Sequence, residues 1–204
     1  MEIHNPMTLR DAWNADYRSR GALYGGASLP LPDLMSGALV LDLGCGNGKH
    51  LAAMEARGWR VVGLDAALEA VLICKSTENL VVGEASLLPF RGATFDAVIG
   101  IHILGHLPKL LRPHLFMDVE RILKIGGTFH CTVFSRGDMR CGKGEEIEPF
   151  TYSRRGIITH YFTVEELESL KEPFSEAIIS MVSHEVKISG ERFTREHLSC
   201  IFRR

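Results

Sequence analysis

Apolar residues along this chain gather into short runs closed by glycine or an acid, with amphipathic stretches between them. Val40-Leu-Asp-Leu43 is such a run, and Gly44, Gly46 and Gly48 follow it at once. Lys49–Arg57 contains no glycine or proline and is rich in helix formers, so this stretch predicts a strand, a tight turn and a helix. Trp59–Asp65 predicts a second strand with an acidic end, followed by a helix over Ala66–Lys75. Asn79-Leu-Val-Val-Gly-Glu84 and Phe95-Asp-Ala-Val-Ile-Gly-Ile101 predict the third and fourth strands. Pro113 suits a first helical turn, and Leu115, Phe116, Val119, Ile122 and Leu123 form one apolar stripe behind it. Lys124-Ile-Gly-Gly127 ends that helix, and Thr128–Phe134 predicts the fifth strand. Strand–helix alternation from Leu39 to Phe134 demands parallel strands with crossover helices, hence an α/β, doubly wound sheet. Two last strands, within 174–184 and 194–203, would add an antiparallel pair and bring the mostly parallel sheet to seven.

A strand-to-helix turn of glycines brings bare backbone and a helix N-terminus against a ligand. The dinucleotide fingerprint needs glycines at the first, third and sixth positions of the turn, and counting from Gly44 the sixth is Lys49. The pattern here is Asp42-x-Gly44-x-Gly46-x-Gly48. A carboxylate just before the glycines repels a pyrophosphate and suits a ligand carrying an ammonium group. Asp65, at the end of the second strand, can accept hydrogen bonds from two ribose hydroxyls or cap the following helix.

Taken together, Asp42–Gly48, Asp65 and Glu84-Ala-Ser-Leu-Leu-Pro-Phe90 resemble the motifs of class I S-adenosylmethionine (AdoMet) methyltransferases, which have a Rossmann-like sheet. Phe95-Asp-Ala-Val98 and Ile103-Leu-Gly-His-Leu107 resemble that family's later segments. The resemblance implies a cofactor cradle of Asp42, Gly44, Cys45, Gly46 and Gly48, and a ribose contact at Asp65 with Ala66. It also implies an adenine contact at Glu84 and Ala85, and backbone at Gly100 and Ile101 beside the methionine moiety. Three departures stand out: Ala67 where a polar residue is usual, Glu84 for the usual Asp, and Ile125 for the usual Pro. His102 and His106 are the titratable side chains nearest the expected transfer point, and either can be a general base or simply pack the loop.

At 204 residues the chain fits one domain. Its parts would be an N-terminal lid (1–36), an AdoMet-binding half (37–134), a substrate-cap insert (135–160) and a C-terminal helix with strands (161–204). Trp13 and Tyr17 share a face of a plausible helix ahead of Gly25-Gly-Ala-Ser28, an arrangement that resembles tellurite-resistance-type small-molecule methyltransferases. In those relatives this segment closes over the cofactor, which makes Tyr17 a cofactor contact. The insert carries Arg154 and Arg155 and leads into His160 and Tyr161, the expected rim of an acceptor pocket. Thr163 and Glu166 form a capping box that starts the next helix. The formal charge of −2, with no long basic run, speaks against a nucleic-acid partner. Nothing is long and apolar enough for a membrane span, and the N-terminus lacks a basic segment feeding an apolar one. Five cysteines without zinc-like spacing point to reduced thiols, a cytoplasmic setting and no metal. The expected function is AdoMet-dependent methylation of a small molecule, giving S-adenosylhomocysteine. A wobble-uridine-type tRNA methyltransferase and a non-catalytic AdoMet-binding protein remain the alternatives.

Overall fold

The structure is a computed structural model and describes residues 7–22, 31–74 and 79–204. The turn at Gly25–Ser28 and the end of the helix expected to reach Lys75 lie outside the described residues.

Five strands with intervening helices build the first half. They are β1 (Leu39–Leu43), α2 (Leu51–Glu55), β2 (Arg60–Asp65), α3 (Leu68–Ile73), β3 (Leu80–Val82), β4 (Phe95–Ile101), α4 (Arg112–Ile122) and β5 (Leu123–Phe134). Helix α1 (Leu9–Arg20) precedes them. The main sheet runs β3-β2-β1-β4-β5-β10-β9, where β9 is Glu176–Ile188 and β10 is Glu191–Arg203. β1 pairs in parallel with β2 and β4, β4 with β5, and β2 with β3; β10 runs antiparallel to both β5 and β9. This is the seven-stranded α/β sheet that the alternation predicts.

Alternation along each strand sends side chains to two separate cores. Val40, Ala97 and Ile99 pack with Leu51, Met54 and Trp59 on one face. Leu41, Leu43 and Val98 pack on the other with Leu115, Phe116, Val119 and Ile122 of α4. There Phe116 meets Phe129 and Phe202 edge to face, with ring centroids 5.6 and 5.0 Å apart. Both faces of the sheet are therefore covered, and the open ligand edge is the carboxyl ends of the parallel strands.

Several elements differ from the sequence expectation. Helix α2 is shorter than Lys49–Arg57, because the glycine turn continues through His50. β3 covers only Leu80–Val82, so Glu84 sits beyond the strand. β5 starts at Leu123 rather than Thr128; the Gly126-Gly127 stretch is absorbed within the strand, and β4–β5 pairing shifts register between Phe95 and Ala97. Finally, the insert is itself a sheet: β6 (Glu145–Glu148), β7 (Thr151–Arg154) and β8 (Ile157–His160) pair antiparallel. Its ends return to one place, since Ser135 bridges Phe162 and the Phe162 amide donates to the Phe134 carbonyl. Helix α5 (Val164–Ser169) follows, and its capping box forms as the sequence indicates: Thr163 Oγ1 accepts from the Glu166 amide and Glu166 accepts from the Thr163 amide.

The β9–β10 hairpin is longer than expected. β10 pairs with β5 only from His197 to Arg203, so residues 191–196 run past β5 and pair as a strand with β9. All five cysteines are free, including Cys131 and Cys200, which face each other across β5 and β10. Among the described residues, no helix is long and apolar enough to cross a membrane.

Candidate functional site

A cavity of about 790 Å³ opens at the carboxyl ends of β1, β2 and β4. Its floor is the glycine turn. Gly44 has φ +76°, and an ideal Cβ there would lie 3.0 Å from Ile103 Cδ1. Gly46 has φ +55°, and its Cβ would lie 2.5 Å from the Tyr17 hydroxyl. Only glycine meets both demands, the left-handed backbone and the close approach. The turn is pinned from β2: Asp65 Oδ2 accepts from the Gly46 amide at 2.8 Å, and Oδ1 accepts from the Ala67 amide at 2.8 Å. Asp65 thus braces the turn and the backbone just ahead of α3, but it does not cap that helix, whose N-cap is Ala67 with no side-chain cap hydrogen bond.

Acids dominate this end. Asp42 is buried and its Oδ2 has no partner among the described residues. Burial, with Asp65 second, pushes its carboxyl up to about 7. An ammonium group would satisfy that oxygen and restore the ionised form. Asp65 is also pushed up by burial, against the pull of the Ala67 and Gly46 amides. Glu84 stands at the rim, half exposed and 3.8 Å from Arg10 of α1. Cys45 lines the cavity, and burial first, then Asp42, drives its thiol up, so it remains neutral.

Helix α1 roofs the site. Thr8 and Asp11 form a capping box at its start, a Thr-x-x-Asp signal that the sequence carries and that sequence reasoning missed. The helix is tied to α3 by Asn14 Oδ1, which accepts from the Glu69 amide at 3.0 Å, and by an Arg18–Glu69 pair at 2.9 Å. On its other side Ala12 approaches Gly156 of the β7–β8 turn. Trp13 sets its edge against His106, with centroids 4.9 Å apart.

The opposite end is basic and aromatic. His102 lies in the left-handed region at φ 63°, stacks on Phe134 at 3.9 Å, and keeps a buried Nδ1 without a partner among the described residues. Burial, then His106 and Arg140, holds it well below the usual imidazole range, so it is neutral. His106 Nδ1 lies 2.6 Å from the Ile158 carbonyl and therefore donates to it. Burial lowers His106 as well, against that hydrogen bond. Tyr161 is buried, and burial pushes its phenol up to about 12. Arg140, Arg154, Arg155 and Arg195 complete this wall.

The cavity wall thus gathers Tyr17, Asp42, Gly44, Cys45, Gly46, Asp65, Ala66, Glu84, Ala85, Ile101, His102, His106, Arg154, Arg155 and Tyr161. Three expected residues lie off it. Gly48 abuts Cys74, and Gly100 packs on Ile103 and Phe129; both shape the wall from behind. His160 is not a rim residue: it is buried, its Nδ1 accepts from Thr151 Oγ1 at 2.7 Å, and its Nε2 donates to Glu166 at 3.1 Å. Burial, then Arg112, depresses it to about 4, so it is a neutral brace beneath the insert. Sequence reasoning missed Arg140, Arg195, His50 and Arg10. Arg140 sits in a mixed-charge run, while Arg195 lies in a strand with no local signal.

Residues 41–131 match the methyltransferase domain family. An uncharacterised protein of Methanocaldococcus jannaschii is 30% identical over 67% of this chain and 55% of its own length. A tRNA (carboxymethyluridine(34)-5-O)-methyltransferase of Arabidopsis thaliana is 34% identical over 52% of this chain and 26% of its own. The chain thus spans a quarter to about half the length of these two relatives. Among solved structures, a SAM-dependent methyltransferase of Methanosarcina mazei superposes with a TM-score of 0.69 at 22% identity, over 85% of this chain and 98% of that one.

Proposed function

We propose that this chain, which belongs to the class I AdoMet-dependent methyltransferases, methylates a small molecule enclosed between α1 and the β6–β8 sheet. One observation carries the reading: one cavity joins the carboxylates beside the glycine turn, the buried Asp42 among them, to the arginines of the insert and β10. Its volume of about 790 Å³ falls within the range of small-molecule and cofactor sites.

The residues present fit AdoMet. The orphaned, buried Asp42 oxygen suits its ammonium group, and the glycine turn admits close contact that any Cβ would prevent. Asp65 oxygens each hold one backbone amide and keep a lone pair for a ribose hydroxyl. Glu84 and Ala85 remain the candidate adenine contacts. AdoMet brings a methyl group on a sulfonium already activated for in-line displacement. The chain's own task is to orient the acceptor, exclude water and, where the acceptor carries a proton, remove it. Tyr17 on α1 closes the cofactor end over Gly46, Trp13 packs on His106, and Arg154, Arg155 and Tyr161 border the acceptor end. His102 is the better base of the two histidines: both are neutral and border the cavity, but His106 Nδ1 is held by the Ile158 carbonyl, whereas His102 Nδ1 has no partner among the described residues. The five free thiols support a cytoplasmic setting.

The second reading is a tRNA modification enzyme, favoured by the similarity to a methyltransferase named for carboxymethyluridine. The roof and the absence of a long basic run weigh towards a small acceptor. Incubation with labelled AdoMet and either bulk tRNA or a metabolite extract separates them. Label is expected in the small-molecule fraction; label in tRNA alone overturns the choice, and label in neither favours a binding protein.

A further inference from the structure

Resting on that reading, the geometry points to a dedicated subsite on the acceptor side. We propose that Arg140 and Arg195, held together on the buried carboxylate of Asp138, bind an anionic oxygen group of the methyl acceptor, a carboxylate or a phosphate.

Asp138 is 3% exposed and every acceptor position on it is engaged. Oδ1 accepts from the Arg140 amide at 3.0 Å and from Arg140 Nε at 2.8 Å. Oδ2 accepts from Arg195 Nε at 3.2 Å, from the Glu196 amide at 3.1 Å and, more weakly, from Arg140 Nη2 at 3.4 Å. Both guanidiniums therefore meet the carboxylate chiefly through Nε. Arg140 Nη1 and both terminal nitrogens of Arg195 have no protein acceptor among the described residues. Both side chains line the cavity, and each keeps about a third of its surface open. One carboxylate against two guanidiniums leaves one positive charge in surplus.

This arrangement is built by the part of the hairpin that outruns β5. Residues 191–196 of β10 have no β5 partner, and the loop after β5 takes that place. The Met139 amide donates to the Thr194 carbonyl and the Ser135 amide to the Glu196 carbonyl. Arg195 and Asp138, far apart in sequence, thereby meet at the cavity wall. The subsite also adjoins the reaction end, since the Arg140 guanidinium lies 3.7 Å over the Phe134 ring on which His102 stacks. Two forks that line the cavity with unspent donors are suited to a planar or tetrahedral oxyanion.

The test uses the full chain labelled with ¹⁵N, so that arginine Nε–H resonances are observed directly. The protein, with S-adenosylhomocysteine added, is titrated with benzoate and, separately, with inorganic phosphate. Saturable shifts of the Arg140 and Arg195 resonances are expected with at least one probe, and which probe binds tighter separates carboxylate from phosphate. Arg195→Gln is expected to weaken that probe at least about tenfold, with Arg195→Lys intermediate. Their S-adenosylhomocysteine affinity should stay within about twofold of wild type, which also reports that each variant is folded. No saturable shift with either probe, or equal probe binding in Arg195→Gln, overturns the subsite. Failure of the wild-type protein to bind S-adenosylhomocysteine sinks the cofactor reading instead, and the probe titration still decides the subsite.

Discussion

The two ends of the cavity are made in different ways. The acidic end is mostly local: a glycine turn, two strand ends and the amides that Asp65 gathers lie within Leu39–Ala67, with Glu84 added at the rim. The basic end is side chain: arginines from the insert and from β10, joined through Asp138 across most of the sequence length between the fifth strand and the last. On the proposed reading, the first end takes the cofactor and the second the acceptor. The second can be rebuilt by altering a loop without disturbing the sheet. The lesson is physical: the acidic end has its tolerance set by backbone angles, and the basic end by charge.

The largest effect that would sharpen this contrast comes from a pair of glycines. Gly46→Ala forces a Cβ into left-handed backbone and against the Tyr17 hydroxyl. Gly142→Ala incurs the same kind of backbone strain in the insert, with open space around it. Each should lose about 1–2 kcal/mol of stability, read as a lower melting temperature. Only Gly46→Ala should also lose AdoMet affinity, by more than about a hundredfold, equivalent to roughly 2.7 kcal/mol of binding. Equal calorimetric affinities for the two variants would break the distinction.

A smaller effect is expected at the roof. Trp13→Ala removes the edge contact with His106 and should weaken AdoMet binding about fivefold, in line with roughly 1 kcal/mol for an aromatic pair. Hydrogen exchange offers the accompanying check, because α1 amides around Tyr17 should gain protection when AdoMet is added. Unchanged protection would remove α1 from the site.

Much of the acidic end was legible in the sequence because its signals are local. A strand, alternate glycines and a following acid lie within one strand–turn–helix–strand unit, so Asp42, Gly46 and Asp65 could be named from the motif and the family resemblance it carries. The basic end was only partly legible. Arg154 and Arg155 were found because the insert is conspicuously long, but its own three-stranded sheet went unseen, since Glu145–Glu148 and Ile157–His160 are too short to show a period. Arg195 was invisible because nothing local says that β10 outruns its neighbour. His160 was misjudged for the same reason: its partners Thr151 and Glu166 are supplied by strand pairing and a helix cap.

The central claim is that one end of the cavity takes the cofactor's ammonium and the other the acceptor. Asp42 offers the most direct test, because its carboxyl is raised to about 7 from an ordinary value of 3.8. A raised folded-state value means that its protonated form stabilises the protein at low pH. That contribution is lost as pH rises through about 7, so the ligand-free protein should lose stability over this window. An ammonium ligand reverses the penalty, so AdoMet affinity should rise between about pH 5.5 and 7, where the amino group stays protonated. The decisive measurement is calorimetric titration of AdoMet into wild type and Asp42→Asn across that range, with melting temperatures at pH 8. The account predicts a variant that melts higher at pH 8, binds AdoMet about ten- to a hundredfold more weakly near neutral pH, and has lost the pH dependence. An Asp42→Asn protein with wild-type affinity and wild-type pH dependence would contradict it.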